Sequence, residues 1–140
     1  MSHPIRDVRR RIQSEHSDVV AAIDDCADRV ADPWDTSRTT DRSAIVDSLR
    51  SELEGKGVSD RLSAVLEDVV GAAGYELPAD PIAAPPYVVV TSRGPMLRAT
   101  IDPGRLVIGF DVFEVVRNDS PDRLPTYRRL DGTRVTIALE

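Results

Sequence analysis

The chain has 140 residues, a single cysteine and a net charge of −6, built from 17 Asp and 7 Glu against 17 Arg and one Lys, Lys56. That length suits one domain with a genuine core, and one cysteine excludes an internal disulfide. No apolar run approaches the roughly 20 residues of a membrane-spanning helix, and an acidic chain with six aromatic residues is a poor fit to a generic nucleic-acid binder.

The first third reads as helix. Ser2 can cap it and Pro4 suits its first turn. Ile5, Val8, Ile12, Val19, Ile23, Cys26 and Val30 then follow in steps of three and four, with His16 filling the gap. This is the pattern of one buried helix side. Asp32-Pro33 ends it, because a residue before proline avoids helical dihedrals. A continuous helix here would run about 40 Å, longer than so small a domain is wide. It either overhangs the body or breaks near Ser14–Asp18, with Ser17 capping a second piece.

A second helix is predicted from Thr39 or Thr40, burying Ile45, Val46, Leu49 and Leu53 and ending at Gly55-Lys56-Gly57. Ser59 is expected to cap a third, with Leu62, Val65, Leu66, Val69, Val70 and Ala73 at helical spacing and Gly74 as its stop. Residues 1–76 thus form a helical half. Pro78, Pro81, Pro85 and Pro86 mark 77–86 as an extended crossing segment.

From Tyr87 the period becomes two. Tyr87–Ser92 and Met96–Ile101 form a hairpin about Arg93-Gly94. Asp102-Pro103-Gly104 is a further turn. Arg105–Val116 is a long strand, with a bulge expected near Gly109. Asn118–Pro125 is polar loop. Tyr127–Leu130 and Thr133–Leu139 read as a last hairpin about Asp131-Gly132. Short turns demand antiparallel pairing, and helices followed by strands indicate an α+β fold. The expectation is a single domain, 1–140. Three helices cover one face of an antiparallel sheet of four to five strands in residues 87–140.

Catalytic and metal motifs are absent. Gly55-Lys56-Gly57 lacks the glycine and hydroxyl spacing of a phosphate loop. His3, His16 and Cys26 are too far apart to share a metal, and Asp24, Asp25 and Asp28 lack the glycine of a calcium loop. No nucleophile elbow is present, and Cys26 sits mid-helix among acids. Asp111 and Glu114, three apart on a strand, point to opposite faces unless a bulge intervenes. No catalytic residue, metal or cofactor is assigned.

Two surfaces remain. Arg6, Arg9, Arg10 and Arg11 crowd the start of the first helix, and Asp24, Asp25, Asp28 and Asp32 its end, against the helix dipole. Two copies crossing antiparallel near His16 would set basic end against acidic end. A homodimer interface of Arg6, Arg9, Arg10, His16, Asp24 and Asp28 is therefore expected. The other surface is the outer face of the sheet, where Arg93, Arg98, Arg128 and Arg134 could hold a small anionic ligand. Nucleic acid is disfavoured there, because few aromatics accompany the arginines.

Leu77-Pro78-Ala79-Asp80-Pro81, Pro85-Pro86-Tyr87-Val88-Val89-Val90-Thr91-Ser92-Arg93-Gly94-Pro95 and Leu97-Arg98-Ala99-Thr100 resemble an uncharacterised family of small haloarchaeal proteins. The helical part with Cys26 and Trp34 fits as well. The resemblance implies a salt-adapted cytoplasm and carries no site. Arg9-Arg10-Arg11 has no apolar core after it, so it is not read as an export signal; the location expected is cytoplasmic. The leading functional expectation is a non-enzymatic interaction protein that self-associates through its first helix. The alternatives are a small-anion or nucleotide module using the Thr91–Gly94 turn and Arg98, and an enzyme of unknown class.

Overall fold

The long N-terminal helix breaks at His16. The structure is a computed structural model and describes residues 3–34, 38–102, 104–117 and 124–140. Its helices are α1 (Pro4–Glu15), α2 (Ser17–Ala31), α3 (Arg42–Gly55) and α4 (Val58–Ala72). Its strands are β1 (Arg38–Thr39), β2 (Val88–Val90), β3 (Pro95–Ile101), β4 (Gly104–Val116) and β5 (Thr126–Leu139). The described residues thus hold four helices where three were expected. His16 leaves the helical region, at φ −125° and ψ 21°, and serves as the N-cap of α2. Ser17, the expected cap, is instead the first helical residue. The turn lets α1 lie along α4 and β5 rather than overhang. Both pieces then bury most of their stripes, Val8 and Ile12 on α1 and Val19, Ile23, Cys26 and Val30 on α2, but Ile5, expected to start the buried side, is exposed at the open first turn of α1.

Two other caps differ from their sequence signals. Asp41 caps α3 by accepting from the Ala44 N–H at 2.9 Å, while Thr39 is taken into β1. Gly57 precedes α4 at φ 72°, a left-handed value that suits glycine. Ser59 lies inside α4 and is buried. The α4 stop is as expected: Gly74 has φ 89°, and the Tyr75 N–H reaches back to the Val70 carbonyl at 3.0 Å.

The sheet order is β1-β5-β4-β3-β2, with every neighbouring pair antiparallel. The two-residue β1 is one edge. Leu97, Ala99, Leu106, Ile108, Phe110 and Phe113 bury against the helices, and Trp34 meets Phe113 at a ring separation of 5.6 Å. This is the expected α+β arrangement of helices on one sheet face.

The last hairpin does not form. Asp131-Gly132 has turn chemistry, but both flanking segments pair with β4 instead of each other. Arg134–Leu139 runs against Leu106–Asp111, and Thr126–Arg129 against Phe113–Val116. Between these blocks Val112 alone faces residues 130–133, and Gly132 takes φ 92° in the excursion. The irregularity in β4 therefore falls at Val112, not at Gly109. Pro103 and residues 118–123, read as turn and polar loop, lie outside the described residues.

Candidate functional site

The register shift decides which side chains meet on the outer sheet face. The register shift at Val112 resets the alternation, so Asp111 and Glu114 share that face after all. Arg134 is the cross-strand partner of Asp111 and Arg128 that of Glu114. Arg128 and Glu114 form an ion pair. Burial pushes the Asp111 carboxyl above its ordinary value, while the charges of Arg93 and Arg134 pull it back.

Arg93 is held by its backbone. Its carbonyl accepts from the N–H groups of Val112 at 2.7 Å and Phe113 at 3.0 Å, which docks the Thr91–Gly94 turn on the β4 bulge. The Thr91 hydroxyl donates to the Gly94 carbonyl at 2.8 Å and accepts from the Arg93 N–H at 3.2 Å. Gly94 sits at φ 149°, and a Cβ there would lie 1.9 Å from the Phe110 carbonyl oxygen.

Arg98 stands apart from these groups. It lines a hollow of about 330 Å³ with Arg105, Thr100, Tyr87, Pro86 and Leu77. Thr100 is paired with Arg105 across β3 and β4, so Arg98 and Arg105 are diagonal neighbours on one face. Both are exposed, and neither has an ion-pair partner among the described residues. The four expected anion-binding arginines are thus not gathered at one point. Arg93 and Arg134 flank Asp111, Arg128 is taken by Glu114, and Arg98 is joined by Arg105. Arg105 was legible: the turn at 102–104 places it two positions from Arg98 across the hairpin.

The expected interface residues separate too. Arg6, Arg9 and Arg10 are exposed on α1, and Arg9 Nη1 donates to the Val135 carbonyl at 3.1 Å. His16 Nε2 meets Asp68 Oδ2 at 2.6 Å, and Arg11 clamps the same carboxylate from Nε at 2.8 Å and Nη2 at 3.0 Å. The Arg11 hydrogen bonds come first in holding Asp68 down to about 2; the His16 bond adds to them. Asp24 and Asp28 both bind Arg129. Asp24 and Asp28, the acidic end of the expected interface, are therefore engaged inside the chain, and of the two forms weighed for the first helix the structure has the one that breaks, at His16.

Arg129 carried no signal in the sequence. Its side chain is 16% exposed and leaves β5 toward α2. Cys26 is buried, and burial followed by the charge of Glu52 pushes its thiol upward. Among the described residues no three of His, Cys, Asp and Glu converge as metal ligands. No described helix is long and apolar enough to cross a membrane.

Fold and site together define an α+β domain with a basic hollow beside the crossing segment. The chain belongs to the family described as a domain of unknown function, DUF7988, whose model matches residues 6–140. No curated protein and no solved structure matches it. The uncharacterised family expected from residues 77–100 is met at that level; a haloarchaeal source is no part of the match.

Proposed function

We propose that the chain is a non-enzymatic binding module that holds a small phosphate-bearing ligand between Arg98 and Arg105. One observation carries this reading. These guanidiniums line a common hollow and lack ion-pair partners among the described residues, whereas Arg128, Arg129 and Arg11 are spent on carboxylates of their own chain. Paired arginines suit a phosphate, which accepts two parallel N–H bonds from each fork. Tyr87 and Thr100 supply a ring face and a hydroxyl at the same hollow, the parts a nucleotide needs beyond its phosphate. An enzyme would have to work through Asp111 and Glu114. Arg128 already answers Glu114, and Arg93 and Arg134 flank Asp111, which makes that reading the weaker.

The acid-rich helical half and the near absence of lysine support a salt-adapted, cytoplasmic setting, in which carboxylates hold water and hydrated cations. Self-association remains part of the proposal.

Calorimetric titration with inorganic pyrophosphate and with AMP tests the site. Arg98→Ala and Arg105→Ala should each weaken binding about tenfold or more, with Arg128→Ala neutral. Equal losses in all three variants would indicate diffuse attraction and sink the reading. Retardation of RNA at low salt, with no binding of either small anion, would replace it.

A further inference from the structure

From its alternating main chain, β5 presents an open edge. Along one side it pairs with β4 over Thr126–Arg129 and Arg134–Leu139. On the other, β1 covers only Tyr127 and Arg128, and no described strand pairs with residues 133–139 there. Arg105 and Glu140 exchange both main-chain hydrogen bonds, at 3.0 and 2.8 Å. Alternation from that point turns the N–H and C=O groups of Arg134, Thr136 and Ala138 toward β4. Those of Val135, Ile137 and Leu139 consequently face outward. The Arg9 guanidinium on the Val135 carbonyl is the direct sign of this, because it reaches an acceptor that the sheet leaves unused.

The edge is thinly protected: Arg134 is its one charge, and Arg9, which holds the Val135 carbonyl, would share or yield that oxygen to a partner strand. Thr133–Leu139 contains neither proline nor lysine and is rich in β-branched residues. The side chains of Val135, Ile137 and Leu139 stay partly exposed on the helix side. Beside Leu139 lies an open hollow of about 480 Å³, lined by Pro4, Ile5, Arg6 and Arg9 of α1, where Ile5 is 41% exposed.

We infer that this edge joins a second copy of the chain, β5 against β5, antiparallel about a two-fold axis at Ile137. That register sets Ile137 against itself and Val135 against the partner's Leu139, all apolar and on the helix side. On the outer face it sets Arg134 opposite the partner's Glu140, twice by symmetry. A centre at Val135 would face Arg134 with Thr136 and lose both charge pairs. Charge complementarity thus selects both the occupant and the register. The two sheets become continuous, and the two α1 helices flank the join on one face. The inference is independent of the anion site, and it moves self-association from the first helix to the strand beside it.

The test is the mass in solution by sedimentation velocity, across micromolar to millimolar concentration. The full chain should be a dimer. Glu140→Arg turns each attractive pair into two like charges facing one another and should raise the dimer Kd about tenfold. Adding Arg134→Glu to it should restore dimerisation. Ile137→Pro removes an N–H that points away from β4, so it should abolish the dimer while circular dichroism stays native; if that variant fails to fold, the charge exchange decides alone. A monomeric full chain at millimolar concentration overturns the proposal and leaves the edge to another protein's strand or to none. A dimer indifferent to the charge exchange overturns it equally.

Discussion

Arg129 Nη1 donates to the carbonyl oxygen of Val112 at 3.1 Å, across the point where β4 and β5 lose register. The same nitrogen reaches the Leu130 carbonyl at 2.9 Å, and Nη2 reaches the Asp24 carbonyl at 3.1 Å. Nε donates to Asp28 at 3.2 Å, and Asp24 completes the ion pair. One fork therefore satisfies the carbonyls that the sheet irregularity orphans, and ties them to α2.

Replacing it should be costly. Arg129→Met strands buried acceptors and the Asp24 carboxylate, and should destabilise the fold by about 3 kcal/mol in urea denaturation. Arg129→Lys should recover little, since one ammonium cannot span the carbonyls that a planar fork does. A loss under about 0.5 kcal/mol for the Met variant would mean that water replaces the fork.

Gly94 and Gly71 should respond in opposite directions to alanine. At Gly94 the new Cβ meets the Phe110 backbone at 1.9 Å and the φ of 149° is strained for any side chain. Gly94→Ala should cost at least about 2 kcal/mol. At Gly71, in α4, a Cβ meets nothing within 4 Å. Gly71→Ala should add about 0.5–1 kcal/mol through helix propensity and a less flexible unfolded chain. Thermal melts of the two variants side by side check both signs.

Asp68 should govern the acid limb of stability. Its folded carboxyl titrates at about 2 against an ordinary 3.8, so the folded chain binds that proton less readily. The stabilisation is whole above the ordinary value and drains away as pH falls from about 4 toward 2. Asp68→Asn should lose about 1 kcal/mol at neutral pH, a figure reduced because a third of the side chain meets solvent. Between pH 4 and 2 the variant and the parent should converge in denaturation midpoint.

Asp111 should show the reverse sign. Its folded value is raised, chiefly by burial, so the folded state holds the proton more tightly than the unfolded state. Stability contributed by this residue falls as pH rises above the ordinary carboxyl value. Asp111→Asn should leave the protein slightly more stable at neutral pH, within about 0.5 kcal/mol. A clear loss there would show that the charges of Arg93 and Arg134 outweigh burial.

Cys26 should be silent toward alkylating reagents in the native state. The thiol is 1% exposed and its pKa is raised, so thiolate is scarce and inaccessible. Iodoacetamide should modify it only at the rate at which the core opens, and denaturant should accelerate the reaction in step with unfolding.

Periodicity made much of this fold legible. The stripes on α1 to α4 and the alternation in β3 are set by local burial, and the stop at Gly74 by backbone chemistry that needs no tertiary context. The failures arose where a distant partner overrides a local signal. Asp131-Gly132 is a fair hairpin turn, but β4 offers both flanks a longer ladder than they could offer each other. Ser17 and Ser59 are fair caps, yet His16 and Gly57 occupy the geometric start of those helices. Arg105 could have been found from the turn at 102–104. Arg129 could not, because its partners, Asp24, Asp28 and Val112, are adjacent only once the sheet is closed.

The Arg129 tie also sets an order on folding. It links residues 101 and 105 positions apart in the chain, and Thr133 adds a bond to Asp24 across 109. β5 pairs along most of its length with β4, meets β1 at Tyr127 and Arg128, and touches both α1 and α2. On a ribosome the helices, β3 and β4 emerge first and can pack on one another, but the sides of α1, α2 and β4 that meet β5 stay open until β5 has been made. Until then the parts of α1 and α2 that β5 covers face water, and the dense carboxylate surface of the helical half would keep that intermediate soluble.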